Sequence, residues 1–431
     1  MIRPRTFEDA RSLVQSLLAV GLASVDPRQK VVGCLLSNRD LLDRVDPVVI
    51  AIGKAATAMS NGACDVLGDR IRTGIILTKD GHSENAPSSF TVFESSHPVP
   101  DQRGLDATRS ILDTVDAMGR DDLALILISG GGSALLELPR PPVTLADLQA
   151  TTSLLLKAGA PIQHLNAVRS ELSQVKGGGL RRRIGDARCV TLILSDVLGN
   201  DPQVIASGPT VARRPNPGEA LRLLDHYRVT GNIPRSVLDA LRRNDVQHAN
   251  MATPTDDDVF QILADNDVFV DAINAEAERL RLRTRIVWRR QEGEASDIAS
   301  RFVKYLTDIE DRIDLVIGGG ESTVTVSGAG SGGRNTEFAL AAGLGLIDAA
   351  GGDQWVVASI ASDGQDGSVD AAGAMTSATS IRHNAAAGLD PRAALHDNDS
   401  GGYFAKTGEL VRTGPTGTNV NDVCIAVRLA R

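Results

Sequence analysis

The chain has 431 residues, more than one hydrophobic core usually holds, and we therefore expect two domains. Its hydrophobic content of 42% and charged content of 23% are those of a globular protein, and its formal net charge of −9 disfavours nucleic acid as a partner. The four cysteines form no CxxC pair, which predicts reduced core residues rather than a zinc site or a disulfide framework.

The amino-terminal stretch MIRPRTFEDARSLV has no apolar signal core, and no later segment reaches about 18 uninterrupted apolar residues. We therefore expect a cytoplasmic protein without a membrane partner. The first predicted element is an amphipathic helix over Phe7–Val20, where apolar residues recur at helical spacing.

The first half of the chain alternates short apolar strands with helices, which is the pattern of an α/β fold. The strand Val48–Ile52 leads into GKAATAMSNGA, a glycine turn followed by an alanine-rich helix. Lys54 lies at this turn, where α/β sheets place ligands, although a surface lysine is an equal alternative. Further strands are predicted at Thr73–Thr78, Phe90–Glu94, Asp122–Ile128 and Cys189–Leu194.

Two of these strands end in turns that carry candidate site residues. The SGGGS turn, Ser129–Ser133, comes directly before a helix, and its free N–H groups favour a phosphate or a carboxylate. Asp196 follows the strand Cys189–Leu194, where a carboxylate can hold Mg²⁺ or accept a proton. His97 lies on a loop before two prolines, and a substrate contact and a backbone contact are equally consistent with that position.

The composition changes at Met251–Asp258, MATPTDDD, which is the best candidate for a linker. We place the domain boundary near residue 250, which gives domains 1–250 and 251–431. The second half again alternates strands and helices, with strands predicted at Phe260–Leu263, Thr284–Trp288, Trp355–Ala361 and Val423–Leu429.

The second half also contains the glycine-rich stretch Gly318–Glu337, GGGESTVTVSGAGSGGRNTE, which follows the apolar run Leu315–Ile317. We predict a glycine loop, a short β segment over Ser322–Ser327 and then a helix over Asn335–Leu346. Because few of its side chains are large, the stretch offers mainly backbone N–H groups, which suits the close approach of an anion.

Four apolar strands thus end in loops of one kind, SGGGS, SDVLGND, GGGES and SDGQDG, and such loops gather at one edge of a parallel sheet. Together they supply backbone cradles, the cations Lys54 and Arg334, and the carboxylates Asp196, Glu321 and Asp363. Phosphoryl transfer needs this set of groups, since its catalysis consists mainly of positioning and charge neutralisation.

A dinucleotide fingerprint is the competing interpretation. Gly328, Gly330 and Gly333 satisfy GxGxxG, and Asp353 follows about 20 residues later. However, Asp353 comes before the next predicted strand, whereas the ribose-binding acid should come after it. We therefore disfavour nicotinamide binding without excluding it.

The ordered motifs resemble the glycerate 2-kinases that carry a MOFRL domain, a family sometimes labelled hydroxypyruvate reductase. The similar stretches cover nearly the whole chain and are AIGKAA, SSHPVPDQRG, LILISGGGSALL, LNAVRSELSQVKGGGL, LSDVLGNDPQVIASGPT, GGGESTVTVSGAGSGGRNTEFALAAG, ASIASDGQDGSVDAAGA and TGPTGTNVND. The resemblance implies an α/β fold with a Rossmann-like parallel-sheet N-terminal domain, a smaller α/β MOFRL domain and an active site in the cleft between them. It further implies phosphorylation of D-glycerate at the 2-hydroxyl, with ATP and Mg²⁺.

By motif, the resemblance gives catalytic roles to Lys54, Asp196 and Arg334, and we expect Asp196 and Asp363 as metal ligands. The residues expected to contact nucleotide, phosphate or substrate are Ser129, Gly130, Gly131, Gly132, Ser133, Asn166, Arg169, Lys176, Gly319, Gly320, Glu321, Asn335, Glu337 and Asn419. The expected partner is a small 2-hydroxy acid such as glycerate, and a homodimer is left open.

Departures from the family pattern leave the acceptor acid open. The family commonly has AGHPVPD where this chain has Ser95–Ser96, KGGRL where it has Gly179, and ATDG where it has Ser362–Asp363. The alternatives are a kinase for another 2-hydroxy acid such as tartrate, an NAD(P)H-dependent hydroxypyruvate reductase, and a non-catalytic anion sensor. The sensor is disfavoured because it has little use for so many loop carboxylates.

Overall fold

The structure is a computed structural model that describes residues 3–38, 45–243, 258–310 and 312–430. The chain forms two compact units. The first unit is Pro27–Leu263, and the second unit combines Met1–Asp26 with Ala264–Arg431. The predicted boundary near residue 250, and all of the predicted linker except Asp258, lie outside the described residues.

Twelve strands and sixteen helices are described. The strands are β1 (Val48–Ile52), β2 (Thr73–Lys79), β3 (Phe90–Ser95), β4 (Leu123–Ile128), β5 (Arg188–Leu194), β6 (Val259–Ala264), β7 (Thr284–Glu294), β8 (Leu315–Thr323), β9 (Trp355–Ala361), β10 (Gly373–Ser377), β11 (Leu410–Val411) and β12 (Asp422–Arg428). The helices are α1 (Phe7–Ser24), α2 (Pro27–Ser37), α3 (Ala56–Leu67), α4 (Gln102–Asp116), α5 (Gly132–Leu135), α6 (Leu145–Lys157), α7 (Ile162–Leu172), α8 (Gly179–Ile184), α9 (Pro217–His226), α10 (Arg235–Arg242), α11 (Asn266–Arg279), α12 (Ala295–Asp308), α13 (Arg334–Asp348), α14 (Ala378–Ala386), α15 (Pro391–His396) and α16 (Ser400–Thr407).

The first unit is built on a six-stranded sheet with the order β3-β2-β1-β4-β5-β6. Strands β1 to β5 run parallel, with Ile52 paired with Leu77 on one side and Ile128 on the other. β1 and β4 are buried along their whole length, as strands covered on both faces should be. The predicted α/β fold class is confirmed, and the carboxyl ends of these parallel strands lie along one edge.

The second unit is built on a mixed six-stranded sheet with the order β11-β10-β9-β12-β8-β7. β8 and β9 are each antiparallel to β12, so the carboxyl ends of β8 and β9 and the start of β12 share one edge. The predicted glycine loop at 318–321 is wrong, because these residues belong to β8, and the predicted β segment Ser322–Ser327 is wrong beyond residue 323.

Tight packing explains the glycines of β8. A Cβ on Gly319 would lie 2.2 Å from Oδ1 of Asn266, and one on Gly320 would lie 2.1 Å from the carbonyl oxygen of Gln291. The sequence shows that these positions need space at the backbone. It does not show that a neighbouring helix and strand occupy that space.

The amino-terminal helix α1 belongs to the second unit, whereas the predicted domain 1–250 included it. A Cβ on Gly21 would lie 2.7 Å from Phe269 and 2.8 Å from Ile273, so α1 packs closely on α11. Amphipathic spacing predicts that a helix has an apolar face, but it does not identify the surface that covers this face.

Helices α6, α7, α9 and α10 of the first unit pack around a cluster of their own, centred on Leu155, Val168, Leu224 and Val237. All four cysteines are free, and Cys34, Cys189 and Cys424 are buried, whereas Cys64 is only partly buried and is not the core residue that was predicted. In the part of the chain that the structure describes, no helix combines the length and the apolar character needed to cross a bilayer.

Candidate active site

The turns that follow β1 and β4 are hydrogen-bonded to each other. The N–H of Lys54 donates to the carbonyl of Gly130 (2.9 Å), and the N–H of Ala55 donates to Oγ of Ser129 (3.0 Å). Gly53 has a φ of 118°, and a Cβ there would lie 2.4 Å from Oγ of Ser129. Glycine is therefore required before Lys54, and the two turns together place this lysine beside the SGGGS turn.

Two cations donate hydrogen bonds to the carbonyl of Ser133, the last residue of the SGGGS turn. Nζ of Lys176 donates to the carbonyls of Ser133 (2.6 Å) and Leu136 (3.1 Å), and Nη2 of Arg169 donates to the same Ser133 carbonyl (3.0 Å). Nζ of Lys176 also lies 3.1 Å from Oε2 of Glu137, which is fully buried. Burial lowers the pKa of Lys176 to about 8.

Asn166 contacts the SGGGS turn indirectly, through the hydroxyl of Ser207. Oγ of Ser207 donates to Oδ1 of Asn166 (3.3 Å) and lies 2.7 Å from Oγ of Ser133. Asp196 lies just after β5, whose neighbour β4 leads into the SGGGS turn, and it is half-buried. The first unit therefore gathers Lys54, the SGGGS turn and Asp196 at the carboxyl edge of its sheet.

Arg334, the first residue of α13, is the central cation of the second unit. Its Nε and Nη2 donate to Oδ2 (2.5 Å) and Oδ1 (2.8 Å) of Asp422, and Nη2 lies 3.5 Å from Oε1 of Glu321. Burial acts to lower the pKa of Arg334, but the carboxylate of Asp422 outweighs it and raises that pKa above its usual range. The charge is therefore permanent and fixed in place.

Asp422 binds the predicted site residue Arg334, and the sequence analysis did not identify it. It begins β12 and is paired with Gly320 of β8 and Ala361 of β9, which places it at the edge where those two strands end. The available signal was an acidic residue directly before the last apolar strand. That signal is weak, because an antiparallel strand brings its first residue to this edge and the sequence does not give strand direction.

Arg334, Glu321 and Glu337 line one cavity of about 780 Å³ in the second unit. This volume is in the range of small-molecule sites. The other residues that line it are Glu292, Ser322, Thr323, Val324, Val326, Gly330, Gly332, Gly333, Gly367, Ser368 and Asn398. Oε2 of Glu337 accepts a hydrogen bond from Asn398 (3.1 Å), and burial raises the pKa of Glu337.

The expectation that the whole glycine-rich stretch offers N–H groups to an anion is wrong for residues 327–331. The N–H groups of Ser327 and Gly328 donate to Oδ1 of Asn398 (2.8 and 2.9 Å). The next three N–H groups donate to oxygens of Asp397 and Asp399, at 2.9–3.1 Å. The protein's own acidic segment 397–399 therefore takes the place of an external anion.

The fingerprint glycines pack against acidic residues instead of forming a dinucleotide turn. Added Cβ atoms would lie 2.2 Å from Asp397 at Gly328 and 2.4 Å from Asp399 at Gly330. At the start of α13, the carboxylate of Asp366 accepts the N–H groups of Asn335 (2.8 Å) and Thr336 (2.7 Å). A carboxylate already holds this helix terminus.

The remaining predicted residues of the second unit have local partners. Oδ1 of Asn335 accepts the hydroxyl of Ser359 (2.6 Å), and Asn335 is fully buried. Oδ1 of Asp363 accepts the N–H of Gln365 (3.0 Å), and Oδ1 of Asn419 accepts the N–H of Asn421 (3.4 Å). Gly319 and Gly320 are strand residues of β8.

The predicted site residues therefore fall into two sets, one at the carboxyl edge of each sheet. Among the described residues, no three His, Cys, Asp or Glu side chains are grouped as a metal site. A magnesium ion in a phosphotransferase is commonly held by one or two carboxylates together with the substrate's phosphates, and such an ion needs no protein cage.

Two family descriptions match the chain. Residues 13–242 match a domain of unknown function, DUF4147, and residues 314–422 match the MOFRL family. A protein of Thermotoga maritima named D-glycerate 2-kinase is 38% identical over 90% of this chain and 91% of its own length. A protein of Agrobacterium vitis named as a hydroxypyruvate reductase is 37% identical over 96% of this chain and 93% of its own length.

A solved structure agrees with these sequence matches. The crystal structure of a glycerate kinase (EC 2.7.1.31) from Thermotoga maritima has a TM-score of 0.86 to this chain at 35% identity. The match covers 98% of this chain and all of that one, so both units have counterparts there.

Proposed function

We propose that this chain, which belongs to the glycerate 2-kinase family that carries a MOFRL domain, transfers the γ-phosphoryl group of ATP to the 2-hydroxyl of D-glycerate. The products are 2-phosphoglycerate and ADP. The observation that carries this proposal is that the edge of each sheet holds a cation, Lys54 beside the SGGGS turn and Arg334 beside carboxylates. Placed charges of this kind are the main catalytic device of phosphoryl transfer.

Each of the three motif residues has a proposed role. Arg334 neutralises charge on the transferred phosphoryl group, because Asp422 fixes its guanidinium in one orientation. Lys54 neutralises charge next to the SGGGS turn. The N–H groups of Gly130–Ser133 bind phosphate or the acceptor's carboxylate, whereas the N–H of Ser129 donates to the carbonyl of Ile52 (2.9 Å). Asp196 acts as a base toward the 2-hydroxyl or as a ligand of Mg²⁺.

We also propose that Mg²⁺ accompanies ATP. Asp196 and Asp363 are the carboxylates we assign to it, together with phosphate oxygens of the nucleotide. A bound Mg²⁺ would neutralise negative charge on the phosphates. The homodimer stays a prediction, and light scattering of the purified protein would check it.

The test of the function is ADP release from ATP and Mg²⁺, with D-glycerate, L-glycerate, tartrate and hydroxypyruvate each offered separately. We expect turnover that depends on D-glycerate, and phosphorus NMR should place the new phosphate on C2. Turnover with tartrate alone would move the proposal to another 2-hydroxy acid. Nucleotide or acid binding without turnover of any acceptor would instead support the anion sensor.

The assigned role of Arg334 has a separate test. Arg334→Ala removes a charge that acts on the transferring group, and we expect kcat/KM to fall by roughly 100- to 1,000-fold, since comparable charge-stabilising groups contribute about 3–4 kcal/mol. Near-wild-type turnover would contradict the role. Circular dichroism of the variant would show whether the fold is retained.

Hydroxypyruvate reduction is the second candidate, because a relative carries that name. The packing of the fingerprint glycines against the acidic segment 397–399 disfavours it. Loss of NADH or NADPH absorbance with hydroxypyruvate, measured on the purified protein, would support it.

A further inference from the structure

A second titratable side chain besides Lys54 faces the SGGGS turn. A Cβ added to Gly131 would lie 3.1 Å from Cδ2 and 3.2 Å from Nε2 of His97, and 3.5 Å from Cγ of Lys54. Gly131 has a φ of 85°, a conformation that suits glycine, so this approach depends on the missing side chain. The Nε2 edge of the imidazole and the stem of the lysine therefore flank the same glycine.

The loop that carries His97 is held at several points. The N–H of Ser96 donates to Oδ2 of Asp101 (3.3 Å), and Nε2 of Gln149 donates to the carbonyl of Pro100 (2.8 Å). Two prolines in the loop further restrict its backbone. The imidazole is thus placed in advance beside the turn, as a preorganised binding group should be.

The surroundings of His97 keep its imidazole uncharged. Burial, and then the nearby side chains of Lys54, Lys79 and His82, lower the pKa of His97 to about 4. His82 lies next to Lys54, since Nδ1 of His82 is 3.2 Å from the carbonyl oxygen of Lys54. A neutral imidazole has one N–H donor and one acceptor, which suits a hydroxyl group better than a carboxylate.

We propose that His97 hydrogen-bonds the 3-hydroxyl of the acceptor acid beside Lys54 and thereby selects glycerate over 2-hydroxy acids that lack this hydroxyl. The inference rests on the proposed function, in which the 2-hydroxyl is the reacting group of the acceptor. The 3-hydroxyl is then the acceptor's remaining uncharged polar group. A site built to bind a hydroxyl strongly rejects the analogue without it, because its own polar group is left unpaired.

The test compares kcat/KM for D-glycerate and D-lactate in the wild type, His97→Leu and His97→Asn. We expect the wild type to prefer D-glycerate and His97→Leu to reduce that preference by roughly 10- to 100-fold, mainly through KM for D-glycerate. His97→Asn, which keeps a hydrogen-bonding group, should recover part of the preference. His226→Asn, a change at an exposed position on α9, is the matched control and should change nothing.

The second readout is independent of turnover. In ¹⁵N-histidine-labelled protein without nucleotide, D-glycerate should shift the ring nitrogens of His97, assigned by comparison with His97→Asn, and D-lactate should not. An unchanged preference in His97→Leu, or equal use of both acids by the wild type, would overturn the inference. No D-glycerate-dependent ADP from the wild type would overturn the proposed function itself, and equal shifts with the two acids would overturn only the role of His97.

Discussion

Arg334 has a fixed orientation because one carboxylate accepts two of its N–H groups. Asp422 is nearly buried, and removing one partner of such a pair leaves the other charge uncompensated. The sequence identified Arg334 from its motif but could not identify Asp422. The two residues are 88 positions apart and meet because an antiparallel strand begins where two other strands end.

Asp422→Asn should therefore lower kcat more than it raises KM for D-glycerate. The side chain keeps its shape but loses its charge, so the guanidinium of Arg334 is held less firmly. We expect roughly a 10- to 100-fold fall in kcat, about 1.4–2.7 kcal/mol in the barrier. Asp348→Asn, an exposed change in the same unit, is the control, and steady-state kinetics on both variants would decide. Wild-type kcat in Asp422→Asn would contradict the positioning role.

Lys176 provides a second prediction at this scale, because it is buried against Glu137. Lys176→Met should destabilise the protein by roughly 3–5 kcal/mol, since it leaves the buried carboxylate of Glu137 with Arg169, 4.0 Å away, as its remaining counter-charge. Lys176→Met combined with Glu137→Leu removes both charges and should recover most of that loss. Urea unfolding of the wild type, both single variants and the double variant measures the coupling. If Lys176→Met and the double variant were equally stable, Lys176 and Glu137 would not form a stabilising buried pair.

The pH dependence of the same pair has a definite sign. Burial lowers the pKa of Lys176 to about 8 in the folded protein, below its ordinary value of 10.5. The unfolded chain therefore binds more protons between these two pH values, and folding becomes more favourable as pH rises through this window. The wild type should gain stability relative to the double variant between about pH 8 and pH 10. If the difference in stability between the wild type and the double variant stayed constant across that pH range, the pKa of Lys176 would not be lowered by folding.

At the scale of elements, the sequence predicted most strands of both sheets because they are continuous apolar runs. β1, β4, β5 and β9 all lie where they were expected. The glycine-rich stretch was less predictable. Glycine indicates close approach to the backbone, but the approaching group can be a ligand or the protein itself. Here the segment 397–399 and Asp366 fill that role for residues 327–336.

The start of α13 offers a test of this interpretation. Asp366 lies in the SDGQDG loop, and its carboxylate accepts two N–H groups at the terminus that carries Arg334. Asp366→Ala should cost about 1–2 kcal/mol of stability through the lost cap, and it should lower kcat because Arg334 is the first residue of that helix. Asp370→Ala, an exposed change four residues on, is the control, and thermal unfolding with kinetics would measure both effects. A variant with wild-type stability would show that the cap is dispensable.

At the scale of the molecule, the sequence predicted two domains but could not assign every element to one of them. Predicted strands and helices give the order of elements along the chain, and order alone assigned residues 1–26 to the N-terminal domain. In the structure they belong to the second unit, because α1 packs on α11. Contacts across hundreds of residues are not encoded in local periodicity, and the position of α1 could not be derived from it.

Because α1 belongs to the second unit, overpacking at the contact between α1 and α11 should destabilise that unit. Gly21→Ala places a methyl group 2.7 Å from Phe269, and overpacking of this kind costs about 1–3 kcal/mol. Gly33→Ala on α2 is the matched control, because it meets no atom within 4 Å and should stabilise its helix by about 0.5–1 kcal/mol. Hydrogen exchange followed by mass spectrometry should show that Gly21→Ala lowers protection in α1 and α11 while β1 to β5 stay protected. Loss of protection in the first unit instead would contradict the packing of α1 on α11.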